Sequence, residues 1–251
     1  MPDRLHTPQG RQIAWEAVPG AGPTVVFLGG FRSDMTGNKA RHLKAWAQDR
    51  GQGFVRFDYS GHGQSGGDFM DGCIGHWLAD AMAVLDRVEG RVVLVGSSMG
   101  GWIALLLARA LPARIAGLVT IAAAPDFTED GKWAGLDPAQ RERLEADGVV
   151  YLPSAYGDPY PITRRLIEEG RAHLVLRDPL QLTCPVRLLH GTADVDVPQD
   201  RSLALLSHAT GPDMRLTLVD GADHRFSDAR CLALISDTVA EVVDLSGPPE
   251  A

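Results

Sequence analysis

Five consecutive residues, Gly96-Ser97-Ser98-Met99-Gly100, form a GxSxG string between two apolar runs, Arg91–Val95 and Gly100–Leu111. The first run reads as a buried strand and the second as a helix that stops at Pro112. A strand that turns sharply into a helix lifts the middle side chain of the turn above the sheet. Small residues at both ends, here Gly96 and Gly100, let the two elements meet. Ser98 is the middle residue, and the helix N-terminus beneath it favours developing negative charge. The implied chemistry is nucleophilic attack on a carbonyl carbon, for which a hydroxyl needs a base. The plainer alternative is an ordinary strand-to-helix turn.

Eight histidines compete for the role of base. His224, in Gly221-Ala222-Asp223-His224-Arg225-Phe226, lies between the last strand-like segment, Met214–Val219, and the last helical one, Ser227–Leu245. That is where the base falls when the order along the chain is Ser, acid, His. His6, His42, His76, His173 and His208 read as surface or helix residues, and His62 and His190 as loop holders in Gly-flanked turns. The acid belongs after the penultimate strand, Val186–His190, where HGTADVDVP (residues 190–198) offers both Asp194 and Asp196. Asp196 also suits loop support, or capping of a helix over Pro198–Ser207. Asp223 points elsewhere if His224 faces Ser98.

Acyl transfer also needs two backbone N–H donors aimed at the oxyanion. Met99, directly after the nucleophile, supplies one. The second falls in the loop after the strand Thr24–Leu28, at Phe31, with Gly30 letting the backbone come close. A tight turn is the alternative reading of Gly29-Gly30. No His/Cys/acid cluster has metal-ligand spacing, so neither metal nor other cofactor is expected.

The elements that must position these residues alternate. Leu5–Thr7 and Arg11–Ala17 read as a hairpin around Pro8-Gln9-Gly10. Strand Thr24–Leu28, helix Lys39–Arg50, strand Phe54–Tyr59, helix Ile74–Val88 and strand Arg91–Val95 follow, and then helix Gly100–Leu111 and strand Ile115–Ile121. Apolar strands each followed by a helix predict a mostly parallel sheet covered on both faces. The rhythm lapses between residues 126 and 183, where only Pro138–Ala146 and Ile162–Ala172 look helical. The expected division is a core of residues 1–125 and 184–251 with a small inserted lid, 126–183, over the carboxyl ends of the strands. Phe127, Trp133, Leu136, Tyr151, Leu152, Tyr156 and Tyr160 are its candidate pocket residues. Arg164, Arg165, Arg171 and Arg177 could meet a carboxylate, or form a solvated helix face pairing with Glu168 and Glu169. The tail 247–251 is expected to fray.

With Ser98 read as a nucleophile the expected partner is a small-molecule or acylated substrate, and composition excludes others. Over 251 residues, 24 Lys and Arg stand against 32 Asp and Glu, a net charge of −8, which disfavours nucleic acid as a partner. The stretch 126–183 alone carries −4, which weakens any reading of it as a general trap for anions. The longest uncharged run, Val92–Ala108, is broken by Gly96-Ser97-Ser98-Met99-Gly100-Gly101, so no membrane span is predicted. No signal peptide is read at MPDRLHTPQG. Cys73, Cys184 and Cys231 fit no zinc or disulfide framework, and reduced thiols in the cytoplasm are expected. A homodimer is left open.

Phe57-Asp58-Tyr59-Ser60-Gly61-His62-Gly63-Gln64-Ser65-Gly66, VGSSMGGW (95–102), CPVRLLHGTADVDVP (184–198) and Asp223-His224-Arg225 together resemble the α/β-hydrolase superfamily. More narrowly, they resemble mitochondrial palmitoyl-protein thioesterases that also act as acyl-glucuronide esterases, with their bacterial relatives. The resemblance runs from about Val25 to Leu245. It implies an α/β-hydrolase fold and a triad of Ser98, Asp194 and His224, with Asp194 preferred over Asp196 on the recurrence of HGxxDxxVP in serine hydrolases. It further implies Phe31 and Met99 as oxyanion donors, and hydrolysis of esters or S-acyl thioesters with fairly apolar acyl groups. Many members carry His where Gly29 stands. The same triad serves C–C bond hydrolysis and perhydrolysis elsewhere, and the fold has been recruited as a non-catalytic receptor. Ser98 in place of Asp disfavours epoxide hydrolysis and dehalogenation.

Overall fold

The apolar runs become neighbours in one eight-stranded sheet, seen in a computed structural model that describes residues 2–154 and 157–247. The sheet strands are β1 (Asp3–His6), β2 (Gln12–Val18), β3 (Ala21–Leu28), β4 (Gln52–Phe57), β5 (Val92–Ser97), β6 (Ile115–Ile121), β9 (Val186–Gly191) and β10 (Met214–Val219). Between β6 and β9 the chain forms a separate hairpin, β7 (Val149–Ser154) and β8 (Gly157–Thr163). The order in the large sheet is β1-β2-β4-β3-β5-β6-β9-β10. β1 pairs antiparallel with β2, and β2 with β4, while every pair from β4 to β10 is parallel. The N-terminal hairpin and the parallel sheet are as the sequence predicts.

Side chains alternate across the sheet with a period of two. Val25, Phe27, Val93, Val95 and Val119 point to one face, where α1 (Asn38–Arg50) and α7 (Ala229–Leu245) cover them with Leu43, Ile235 and Val239. Val26, Leu28, Leu94, Leu118 and Leu188 point to the other, under α2 (Ile74–Leu85), α3 (Met99–Ala110) and α6 (Asp200–His208). Burial on both faces is why these strands are apolar throughout instead of alternating with polar residues. Among the described residues no helix is long and apolar enough to cross a membrane. The uncharged run 92–108 is divided into β5, a turn and α3.

Residues 126–183 hold more structure than their sequence suggests. A π-helical turn, Phe127–Trp133, leads into α4 (Pro138–Asp147), whose start is secured by a capping box between Asp137 and Gln140. The β7–β8 hairpin follows, and then α5 (Arg164–Gly170). The helix expected over Ile162–Ala172 is thus shorter, because Ile162 and Thr163 belong to β8. Pro153, Pro159 and Pro161 obscure the hairpin in the sequence. In a two-stranded ribbon each strand has a free edge, so the missing N–H groups are tolerated. The two ends of the stretch are tied together by Asp126, which is buried and accepts from Val175 N (2.8 Å) and Leu176 N (3.0 Å). Tyr156 and residues 248–251, part of the tail expected to fray, lie outside the described residues.

The sheet and α3 meet so closely that only glycine fits at the contact. A Cβ on Gly100 would sit 2.1 Å from the Leu28 carbonyl oxygen, at the end of β3. On helix propensity alone Gly100→Ala would stabilise by about 1 kcal/mol. The backbone clash outweighs this, and we expect a net loss of about 2–3 kcal/mol, read as a lower urea midpoint with an unchanged slope.

Candidate active site

Ser98 joins β5 to α3 with φ 54° and ψ −118°, a backbone conformation strained for any residue with a Cβ. Its own N–H is fixed to the Ile121 carbonyl (2.9 Å), and its carbonyl accepts from Gly101 N (2.9 Å) and Ala124 N (3.1 Å). A Cβ on Gly96 would come within 2.3 Å of the Gly100 carbonyl oxygen, so the turn closes only with glycine at that position. These contacts hold the Ser98 side chain above the carboxyl ends of the central strands.

Two loops bring the other predicted residues to it. His224 lies in the turn after β10, and Asp194 in the turn after β9. His224 Nε2 is 3.1 Å from Ser98 Oγ, and His224 Nδ1 is 2.7 Å from Asp194 Oδ2. The carboxylate can only accept, so Nδ1 carries the proton and the Nε2 lone pair faces the Ser98 hydroxyl. Asp194 is fully buried at its side chain, while His224 is 18% exposed. Burial pushes the Asp194 carboxyl up. Hydrogen bonds from His190 and His224, the His224 charge and the Val197 N–H oppose this and hold it well below the usual carboxylate range.

Asp196, the competing acid, is exposed and gives its backbone N–H to Asp194 Oδ1 (3.0 Å). Asp223 accepts from Phe226 N (3.0 Å) within its own loop and so turns away, as expected. His190 holds its loop as the sequence suggests: Nε2–H is shared between the Val197 carbonyl (2.9 Å) and Asp194 Oδ2 (3.3 Å), and Nδ1 accepts from Ser202 (2.7 Å). Asp194, Asp196 and His224 bring one ligand atom each within 4.8 Å, the one such trio among the described residues. Those of Asp194 and His224 are already joined by a hydrogen bond.

Phe31 and Met99 line one cavity together with Ser98. The space beside Gly30 is narrow, since a Cβ there would lie 3.4 Å from Ser98 Cβ and 4.0 Å from its Oγ. Neither the Phe31 nor the Met99 N–H finds an acceptor among the described residues. Two cavities open from this point, both lined by Phe31, Arg32, Ser98 and His224. One, of about 400 Å³, runs toward residues 126–183 and is lined by Met99, Phe127, Lys132 and Tyr160. The other, of about 460 Å³, runs toward α1 and is lined by Asn38, Lys39 and Arg225.

Of the aromatic and aliphatic residues proposed from sequence to line a pocket, Phe127 and Tyr160 do so. Leu136 is buried among other side chains, Trp133 lies under Arg141 and Arg171, and Tyr151 is exposed. The four arginines lie elsewhere. Arg164 pairs with Glu168, Arg165 meets His76, Arg171 pairs with Glu129, and Arg177 pairs with Asp126 and Asp130. Glu169 instead accepts from Gly75 N and His173. The cations at the cavities are Arg32, Lys39, Lys132 and Arg225. Arg32 and Arg225 directly follow Phe31 and His224, whereas Lys39 and Lys132 have no sequence signature because chain folding alone brings them there. Lys132 Nζ donates to Tyr160 Oη (2.6 Å).

This sheet order, with a serine at the sharp β5–α3 turn, defines an α/β hydrolase. Residues 18–245 match the Alpha/beta hydrolase family, and the chain belongs to it. It is 35% identical over 243 residues to the mitochondrial palmitoyl-protein thioesterase ABHD10 of Rattus norvegicus, covering 96% of this chain and 82% of that protein. Among solved structures, a putative hydrolase from Agrobacterium vitis S4 superposes with a TM-score of 0.93 at 42% identity, covering 97% of this chain and 98% of that one. Mouse alpha/beta hydrolase domain-containing protein 10 superposes at 0.90 with 33% identity, covering the same shares.

Lys39 gives the site a pH signature. Its ammonium donates to the Arg225 carbonyl, and burial pushes its pKa down to about 8, against the attraction of Asp223 and Asp194. Unfolded lysine titrates near 10.4. Between about pH 8 and 10.4 the unfolded chain therefore binds more protons, and stability rises with pH through that window. The cost of charging Lys39 is fully present below pH 8. Lys39→Met removes it, so the stability difference between variant and wild type, measured by urea unfolding at pH 7 and pH 10, should shift toward the wild type at the higher pH.

Proposed function

We propose that this chain hydrolyses carboxylic esters or S-acyl thioesters through an acyl-enzyme on Ser98, with Asp194 and His224 completing a catalytic triad. The observation that carries the reading is the continuous hydrogen-bonded chain from Ser98 Oγ through His224 to the buried Asp194 carboxylate. His224 Nε2 takes the Ser98 proton as Oγ attacks the substrate carbonyl. The Phe31 and Met99 N–H groups, which have no acceptor of their own among the described residues, receive the oxyanion. Asp194 keeps His224 in the productive tautomer and stabilises the imidazolium. The alcohol or thiol then leaves with the proton from His224, and water activated by the same imidazole releases the acid.

Residues 126–183 act as a lid. The cavity between Phe31, Phe127 and Tyr160 takes the acyl group, its aromatic walls favouring an apolar chain, and the cavity beside Lys39 takes the leaving group. Thioester turnover is included because the ABHD10 relatives are named palmitoyl-protein thioesterases. The three cysteines are free and buried, and for Cys184 and Cys231 burial pushes the thiol up to about 11. Inert thiols suit a reducing compartment such as the cytoplasm.

Parallel assays with nitrophenyl esters and acyl thioesters test this. Ser98→Ala should abolish turnover of both, and full activity in that variant would contradict the proposal. Asp194→Asn should lower kcat by about 10⁴-fold with folding retained, whereas Asp196→Asn should stay within a few fold of wild type. The reverse pattern would reassign the acid.

A further inference from the structure

The string Phe57–Gly66 makes no hydrogen bond to Ser98, yet it braces the loop that presents Phe31. Asp58 accepts from Met35 N (2.6 Å) and Gln64 N (2.7 Å), joining the β3–α1 loop to the turn after β4. Closer to Phe31, the Arg32 N–H lies 3.2 Å from His62 Nε2, and His62 Nδ1 lies 3.2 Å from the Ser60 carbonyl. A backbone N–H only donates and a carbonyl only accepts, so these two contacts fix one state of the ring: neutral, with the proton on Nδ1. The ring is buried between Tyr59, Phe69 and Trp77, at centroid distances of 5.8, 5.1 and 5.3 Å. Burial pushes its pKa down, with the Asp80 carboxylate acting the other way.

What His62 holds is a strained turn. Arg32 has φ 59°, and the Gly30 carbonyl accepts from Ser33 N (3.1 Å). The Gly30 carbonyl and the Phe31 N–H share one peptide plane and point opposite ways. Anchoring that carbonyl and the next N–H therefore sets the direction of the Phe31 N–H. The support continues behind the ring. Ser60 O also accepts from Trp77 Nε1 (3.2 Å), Ser60 N and Oγ donate to Asp80 Oδ2, and Arg11 pairs with Asp80 (2.7 Å).

We propose that His62 is a positioning residue for oxyanion stabilisation: as the neutral Nδ1–H tautomer it holds the Arg32 N–H and so aims the Phe31 N–H at the reacting carbonyl. The proposal rests on the Ser98 reading above. Removing an oxyanion donor outright costs about 10²–10³ in rate, and releasing its support costs a part of that.

The test compares His62→Phe, which keeps the aromatic packing but has no acceptor, with His62→Gln, whose amide can accept from Arg32. On p-nitrophenyl butyrate, His62→Phe should lower kcat roughly 10- to 100-fold with KM within about threefold. Phenylboronic acid, whose tetrahedral adduct on serine places an oxygen where the oxyanion forms, should bind more weakly by a similar factor. His62→Gln should recover most of both losses. A His62→Phe enzyme with kcat and boronate affinity within threefold of wild type overturns the proposal. Should that variant not fold, ¹⁵N spectra of wild-type imidazoles at pH 6–8 decide: an Nδ1–H neutral ring is expected, and an Nε2–H ring or an imidazolium overturns it. A wild type that neither turns over ester nor reacts with a fluorophosphonate sinks the Ser98 reading itself, whereas an active, labelled wild type beside an unaffected His62→Phe sinks only the role of His62.

Discussion

A serine held at φ 54° between a strand and a helix is the constraint around which the rest of the molecule is arranged. The conformation is costly for a residue with a Cβ, on the order of 1–3 kcal/mol, and survives only where neighbours over-determine it. Here they do. The Ser98 N–H and carbonyl are engaged by β6 and the segment that follows it, and Gly96 and Gly100 allow contact distances that no other residue would permit. The central strands are apolar on both faces because helices cover both, and α3, packed on one of them, holds the turn in place. What is gained is a hydroxyl projecting from the sheet at the N-terminus of a buried helix, where charge can develop with little rearrangement.

The same strategy recurs around the site. Besides Ser98, the non-glycine residues with positive φ are Arg32, Ala122, Asp126 and Phe226. They fall in the β3–α1 loop, just after β6, at the start of the 126–183 stretch and in the His224 loop. Arg32, Ala122 and Asp126 are anchored by hydrogen bonds to a neighbouring element, as with Asp126 to Val175 and Leu176, and Phe226 is anchored within its own loop by Asp223. Strain is thus concentrated at the carboxyl ends of the strands and balanced by buried polar contacts behind them. The buried Asp194 is the clearest case, since its carboxylate is stabilised by His190, His224 and Val197 at once.

Much of this was legible in the residues. GxSxG flanked by strand and helix patterns locates Ser98, and the position of His224 after the last strand singles it out from seven other histidines. The choice between Asp194 and Asp196 was not legible from spacing, because both sit in one short turn and only the direction of the side chain separates them. The β7–β8 hairpin was hidden by its prolines, which local propensity counts against a strand. Lys39 and Lys132 were invisible as site residues, because nothing in the sequence near a charged residue records that a distant loop folds beside it. The four arginines of 126–183 failed as pocket residues for the complementary reason: each found a partner outside the cavities, mostly an acid or His supplied by another element.

Acyl transfer at Ser98 is tested most directly by its covalent intermediate. Mixing the protein with a p-nitrophenyl ester, quenching in acid within the first turnover and mapping the acyl mass to a peptide measures it without reference to substrate identity. A burst of nitrophenol is expected, with the acyl group attached at Ser98. Steady turnover with no burst and no acylated peptide, or an acyl group mapped to a residue other than Ser98, would contradict it.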